Sequence, residues 1–391
     1  MAKAPAHIPL VAGGMVGPFG RFTEQSLVEI AWPVVQGALK DAGIAATDVQ
    51  AAFVGNAFGG AIVDQESIMA QVLLAPAGIR GVPMQTVKNA CSSGSSAVHL
   101  AWSAIAFGQY DCVLVLGAER LTHADKRRSF AALATATDHK SIDENRSVFM
   151  DVNAARANRY MERYGATQRH FAQVAAKNRA HAVMNERASL RTPITVDEVL
   201  NDRVVVGPLT RAMCGGVVDG AACVVLVSPD FARKRGLSHT SRVVASVLVS
   251  GLPEGDESGN ATARAGQAAY AQAGIDPMEI AVAEVHDASA PQELFDIEDL
   301  ALCNRGEAIR LLEDGDTALG GRMPVNVSGG LTSRGHPVGA TGVAQIVEIH
   351  EQLMGRAGLR QAGAPKVGLA QMAGGLLGQD SAVATVHILT V

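Results

Sequence analysis

The run Val87-Lys88-Asn89-Ala90-Cys91-Ser92-Ser93-Gly94-Ser95-Ser96 puts a cysteine where an apolar stretch gives way to small residues. Met84 to Val87 reads as the end of a strand, and Ala97 to Phe107 is apolar almost all round, the mark of a buried helix. Cys91 therefore falls on the turn from strand to helix, at the positive end of the helix dipole. Unpaired backbone N–H groups there favour thiolate over thiol and can hold an oxyanion, which suits a nucleophile. The competing reading is a packed free cysteine that does no chemistry. Further candidates are His286-Asp287 after the run Ile280 to Val285, His336 in front of Pro337, and the pair Gly374-Gly375. A cysteine with two histidines is an acyl-transfer set. One imidazole takes the thiol proton, the other donates to a developing enolate or thioester oxygen, and backbone N–H groups of Cys91 and a glycine hold the tetrahedral oxyanion. Each piece has a plainer alternative: a turn residue at His336, a strand-end hydrogen bond at His286, tight turns at the glycines.

These residues lie far apart in the chain, and a repeat offers a way to gather them. Ala42-Gly43-Ile44-Ala45-Ala46-Thr47-Asp48-Val49 aligns without a gap to Ala273-Gly274-Ile275-Asp276-Pro277-Met278-Glu279-Ile280, an offset of 231 residues. In that register Val54 falls on Val285, and Gly55 and Asn56 fall on His286 and Asp287. A second echo pairs Val87 to Ser96 with Val325 to Thr341. The pattern reads as a duplicated β/α half, each a sheet layered with helices; chance likeness of two helix–turn–strand patterns is the alternative. Duplication would put the ends of equivalent strands on one side of the sheet, where open α/β folds bind ligands.

The expected elements include strands at Ile8 to Gly13, Ala51 to Val54, Ala221 to Val227, Val243 to Val249 and Lys366 to Ala370, with a last strand at Ser381 to Leu389. An amphipathic helix is expected over Thr23 to Ala42, closed by Gly43, and its repeat over Ala261 to Ala273. Gly251 to Gly259 reads as a glycine-rich loop, and an acidic helix follows around Pro291 to Cys303. Between the halves Leu121 to Leu200 is polar and helical, with helices expected at Asp151 to Tyr164 and Thr167 to Met184. Its cations, among them Arg156, Arg159 and Arg163, outnumber its acids over residues 151–191, which either concentrates charge for an anionic ligand or makes a solvated face. The expected division is 1–120 with 201–235 as one half, 121–200 as an inserted loop domain, and 236–391 as the other half.

With 391 residues, 48% hydrophobic and 18% charged, and with 41 glycines, the chain is long enough for a large core and reads as a loop-rich globular enzyme. Its net charge of -5 gives no case for nucleic acid or an anionic membrane. The five cysteines form no C-x-x-C pair, so no zinc site or disulfide framework is legible and no metal is expected in this chain. Residues 1–7 lack an apolar signal core and no stretch approaches 18 uncharged apolar residues, so the expected setting is cytoplasmic.

Asn89-Ala90-Cys91-Ser92-Ser93-Gly94, Gly335-His336-Pro337-Val338-Gly339-Ala340-Thr341-Gly342, and Asn326 before Gly329-Gly330 together resemble the thiolase superfamily. Pro208-Leu209-Thr210-Arg211-Ala212-Met213-Cys214, Asp219-Gly220-Ala221-Ala222 and the His286-Asp287 pair are more similar to its sterol-carrier-type branch than to the biosynthetic one. The blocks recur in order along nearly the whole chain. The resemblance implies a five-layered α-β-α-β-α fold of two similar halves, with an inserted helical loop domain that contributes to coenzyme A binding. It also implies a homodimer through the cores, and acyl transfer with coenzyme A as substrate through a cysteine thioester. By position, Cys91 would be the acylated nucleophile and His336 its activator and an oxyanion donor. His286 would complete that hole directly or through a water that Asn326 helps to hold, and Gly374 would supply the N–H partner of Cys91 in a second hole.

Thiolases usually carry a second cysteine as proton shuttle. This chain has Met372 at the position used in most branches and Ala288 at that of the sterol-carrier branch, and neither can titrate. His286, oriented by Asp287, is the first candidate to replace it. Cys214 is expected to pack rather than react, and Cys112 and Cys223 to be core. The resemblance thus implies cleavage or formation of a 3-oxoacyl-CoA, with the missing cysteine pointing to an aryl- or carboxyl-substituted substrate whose carbanion needs less help. Members of this branch such as the benzoylsuccinyl-CoA thiolases work with a small zinc-ribbon and OB-fold partner subunit, so one is an expectation here. Two alternatives stand beside this reading: a decarboxylating ketosynthase-like enzyme using the same Cys-His-His set, and a non-catalytic acyl-CoA or lipid-binding subunit.

Overall fold

The computed structural model describes residues 5–138, 148–252 and 259–391. The central part of the glycine-rich loop expected at Gly251 to Gly259 lies outside them. Nine strands make the main sheet: β1 (Leu10–Val16), β2 (Ala51–Gly55), β3 (Met84–Val87), β4 (Cys112–Glu119), β5 (Gly220–Val227), β6 (Ser241–Ser250), β7 (Val282–Glu284), β8 (Val367–Leu377) and β9 (Asp380–Thr390). Their order is β3-β2-β4-β5-β1-β6-β9-β8-β7. Strands β1 and β6 pair only at Leu10 with Arg242 and Val11 with Ser241, so the sheet is two halves hinged at one short seam.

The halves repeat each other in connectivity. In the first, β2 runs parallel to β3 and β4, β4 is antiparallel to β5, and β5 antiparallel to β1. In the second, β7 runs parallel to β8, β8 is antiparallel to β9, and β9 antiparallel to β6. The counterpart of β3 has shrunk to one parallel bridge between Ala283 and Val325. Helix α1 (Leu27–Ala42) ends on Gly43 at φ 64, and its counterpart Ala261–Ala273 ends on Gly274 at φ 66; each is followed by a three-residue 3-10 turn, Ala46–Asp48 and Pro277–Glu279. The repeat read from the sequence is thus the same local structure twice. Both glycines take a left-handed conformation that other residues adopt at a cost.

Five layers follow from which faces are apolar. Leu114 and Leu116 of β4 pack with Ile30, Val34 and Leu39 of α1. Val113 and Val115, pointing the other way, pack with α2 (Ser93–Ala106) and with the helix Val338–Leu353. Strands covered on both faces read as unbroken apolar runs rather than alternation. The two central helices cross at a glycine contact: a Cβ added at Gly342 would stand 2.5 Å from the backbone nitrogen of Ser95. Every residue of Val338–Leu353 is buried.

Between β4 and β5 the chain inserts α3 (Val148–Tyr164) and α4 (Gln168–Val183). Phe171 and Val174 of α4 pack on Leu294 and Ile297 of α5 (Ala290–Asp299), so the insertion from the first half covers the second. Two expectations change. The acidic helix stops at Asp299, short of Cys303, and β8 runs on to Leu377, so Gly374 stands inside a strand and not in a turn before the last one. Among the described residues no helix is long and apolar enough to cross a membrane.

Candidate active site

Cys91 sits on a turn tied by serines. The Asn89 amide donates to Ser93 Oγ at 2.8 Å, Ser93 Oγ donates to the Ala90 carbonyl at 2.7 Å, and Asn89 Nδ2 donates to Ser96 Oγ at 3.0 Å. Ala90 is held at φ 48, an uncommon conformation for a residue with a Cβ, which these bonds offset. Small residues are required because β8 passes directly behind: a Cβ on Gly374 would stand 2.8 Å from the Ser92 nitrogen. Gly375, at φ 64, turns its amide to the Cys91 sulfur. His286 follows β7, where its amide donates to Gln371 Oε1 at 2.9 Å. His336 follows Gly335 (φ 104) and precedes the last central helix, α6 (Val338–Leu353).

The side chains of Cys91, His286 and His336, from three separate segments, have their ligating atoms within 4.8 Å of one another. The two imidazoles meet edge to face, with ring centroids 5.3 Å apart. Thr341 Oγ1 donates to the Pro337 carbonyl at 3.0 Å, so its contact of 2.7 Å with His336 Nδ1 is accepted from an N–H there. That tautomer leaves a lone pair on His336 Nε2. Among the described residues, neither Nε2 of His336 nor Nε2 of His286, both buried, has a hydrogen-bond partner. Burial pushes His286 down to about 4 and His336 well below its usual value, the latter helped by His286 and the Arg334 cation. Both rings are neutral bases at pH 7.

The thiol behaves against expectation. Burial pushes Cys91 up to about 12; the Gly375 amide and its own amide pull down, and the Glu119 carboxylate adds to the rise. Loss of water outweighs the helix terminus, so the resting sulfur is a thiol.

Two expected site residues act elsewhere. Asp287 does not orient His286: its carboxylate accepts from Leu331 N at 2.7 Å, Thr332 Oγ1 at 3.1 Å and Asn178 Nδ2 at 2.9 Å. Burial and the nearby Glu293 hold it above the usual carboxylate range. Asn326, at φ 56, turns its side chain inward. Its Oδ1 accepts from Val285 N at 2.8 Å and its Nδ2 donates to Glu293 Oε2 at 2.8 Å, so it braces the strand that carries His286 instead of reaching the reacting atoms. Lys177 pairs with Glu293 at 2.7 Å and ties α4 to the same brace.

Met372 is buried in β8, and Ala288 offers no titratable group. Cys214 bridges to Ser289, but its thiol donates to the Thr210 carbonyl at 3.4 Å and burial pushes it up to about 11. Cys112 and Cys223 are core. Arg156, Arg159, Arg163 and Arg305 line a cavity of about 380 Å³ together with the carboxylates Glu298 and Asp299 and the rings of Tyr160, Tyr164 and Phe295. Sequence reading missed Glu119, which accepts from the amides of Ala57, Phe58 and Gly339 beneath the site. Its signal was a carboxylate ending the otherwise uncharged run of β4. Gln371 and Thr341 gave none.

The sequence pattern described as Thiolase, N-terminal domain matches residues 10–230, and that described as Thiolase C-terminal domain-like matches 254–389. The chain belongs to the thiolase family. It is 35% identical to an acetyl-CoA acetyltransferase of Methanothermobacter thermautotrophicus, over 95% of this chain and 96% of that one. It is 36% identical to the benzoylsuccinyl-CoA thiolase subunit BbsB of Thauera aromatica over 84% and 85%, and 33% identical to sterol carrier protein 2 of Gallus gallus over 90% and 67%. Its fold matches the solved structure of an Ltp2-ChsH2(DUF35) aldolase with a TM-score of 0.81 at 24% identity, over 100% of this chain and 99% of that one. This thiolase is accordingly an acyl-CoA C-acyltransferase, with coenzyme A as substrate.

Proposed function

We propose that this thiolase forms a thioester on Cys91 and uses two histidines, without a second cysteine, to cleave a 3-oxoacyl-CoA with coenzyme A or run the reverse condensation. The observation that carries the reading is the convergence of Cys91, His286 and His336 within 4.8 Å, with both Nε2 atoms unpartnered. His336 Nε2 takes the Cys91 proton as the sulfur attacks the C3 carbonyl. Backbone amides of Cys91 and of the Gly374-Gly375 segment hold the oxyanion. The C2–C3 bond then breaks, the acyl group stays on sulfur, and the enolate at C2 takes the proton through His286. Coenzyme A thiol next gives its proton to His336 and attacks the thioester, and the proton returns to Cys91 as the new acyl-CoA leaves. One proton moves in each half: that of Cys91 leaves on C2 of the first product, and that of the coenzyme A thiol restores Cys91, each carried by an imidazole that is otherwise neutral.

The relative named for benzoylsuccinyl-CoA supports an aryl- or carboxyl-substituted acyl chain, and the neighbour solved with a DUF35 chain supports a small partner subunit. A homodimer through the edge of the first half fits the exposed edge strand β3 with Leu100 and Phe107 beside it. The cavity at Arg156, Arg159 and Arg163 is our candidate for the coenzyme A phosphates, and the unpaired state of all five cysteines fits a reducing cytoplasm.

The test is a coenzyme A-dependent cleavage assay over straight-chain, branched and aryl 3-oxoacyl-CoAs, with intact-mass detection of acyl-enzyme. Cys91→Ser should lower turnover by about 10³-fold or more and abolish the adduct. His336→Ala should block acylation. Full activity in Cys91→Ser would refute the mechanism.

A further inference from the structure

Each catalytic imidazole stands two residues beyond a fully buried charge: Glu284 before His286, and Arg334 before His336. The two charges meet, Arg334 Nη1 lying 3.3 Å from Glu284 Oε2. Ser328 closes the contact, its amide donating to Glu284 Oε1 at 3.0 Å and its hydroxyl to Oε2 at 2.5 Å, while Arg334 Nη1 donates to the same hydroxyl oxygen at 2.9 Å. The guanidinium also lies over the Phe19 ring, 5.7 Å from its centroid. Nε and Nη2 of Arg334 are buried and find no partner among the described residues.

So costly an arrangement is not required for stability, because a buried ion pair can often be exchanged for apolar side chains without loss. The local backbone shows what it does here. His336 is delivered by Gly335, whose φ of 104 and ψ of 163 lie in a region that only glycine occupies freely. Glycine permits that turn but does not fix it. His286 leaves a strand of three residues, the shortest in the main sheet. Neither histidine is therefore held in place by its own element alone.

We propose that the Glu284–Arg334 ion pair, closed by Ser328, is a positioning device that fastens the two histidine-bearing segments to each other and so sets the His286–His336 geometry on which acyl transfer depends. Glu284 and Arg334 are positioning residues and touch no reacting atom. The inference rests on the two-histidine reading above. The arginine has a second effect. Among the described residues, the groups that bear on His336 are His286, Cys91, the Thr341 hydroxyl and the Arg334 cation, and of these Arg334 carries the standing positive charge that opposes protonation of His336. Its removal raises the His336 pKa.

The experiment compares the full-length parent with Arg334→Lys, Arg334→Met and the apolar double variant Glu284→Leu/Arg334→Met. It measures melting temperature, kcat and KM for the acyl-CoA, the pH profile of kcat/KM, and the rate of Cys91 alkylation by iodoacetamide. Arg334→Met and the double variant should lower kcat by roughly 10- to 100-fold, the scale of a displacement near 1 Å, with KM little changed. In Arg334→Met the acidic limb of the profile should move to higher pH. Arg334→Lys should restore the limb and part of kcat. A double variant that melts like the parent and keeps parental kcat and limb would overturn the proposal. If the double variant does not fold, Arg334→Met with parental kcat or with an unmoved limb would overturn it too. Failure of the two-histidine reading shows differently, as parental turnover in His286→Ala with the Arg334 variants still impaired.

Discussion

Among single residues, the proposed mechanism turns on how a Cys91 thiol pushed up to about 12 could attack a carbonyl. Below its pKa the thiolate fraction grows tenfold with each pH unit, so in the proposed mechanism proton transfer to His336 accompanies attack and does not precede it. Alkylation of the ligand-free enzyme by iodoacetamide should therefore rise about tenfold per unit from pH 7 to 10. A rate that levels off near neutrality would instead reveal a standing Cys91–His336 ion pair. Cys91 and both histidines were legible from residue type and position. The direction of the Cys91 shift was not, because helix-terminal charge can be read along the chain while the loss of water under Phe58, Leu121 and Val338, which pack around it, cannot. Asp287 and Asn326 take partners that their sequence positions do not announce, because position along the chain does not say which way a side chain turns; both join the hydrogen-bond network of Asn178 and Glu293.

At the scale of elements, close backbone approach decides where the reacting groups stand. The two central helices meet where Gly342 faces the Ser95 backbone, and β8 crosses the nucleophile turn at Gly374. Gly342→Ala should destabilise the protein by about 1–3 kcal/mol, the usual range for an overpacked core, and lower the melting temperature in differential scanning fluorimetry. Gly216→Ala, where an added Cβ meets nothing within 4 Å, should stay within about 0.5 kcal/mol of the parent. Gly374→Ala should lose activity in excess of any stability loss, because the strand it displaces carries the amide that touches Cys91.

At the scale of the molecule, β3 is left as an edge strand next to the nucleophile turn, with Leu100 and Phe107 exposed beside it at 38% and 48%. An apolar edge of this kind is a template for pairing with another chain. The enzyme should run as a dimer in size-exclusion chromatography with light scattering, and Leu100→Asp/Phe107→Asp should yield monomer with impaired turnover. A parent that is monomeric at micromolar concentration and fully active would remove the dimer from the proposal.

Residue types and local pattern were enough for the turn that carries Cys91, for the duplicated halves, and for the lack of a titratable side chain at Ala288 and Met372. These are written in local signals: small residues at a turn, glycines that close helices, and apolar runs of fixed length. It took the folded chain to show that the insertion between β4 and β5 packs on the opposite half, that Gly375 turns its amide to the sulfur, and that Glu284 meets Arg334. Each of these joins segments far apart in the chain. Their free energy comes from burial and charge shared between segments, and no window of sequence contains both partners.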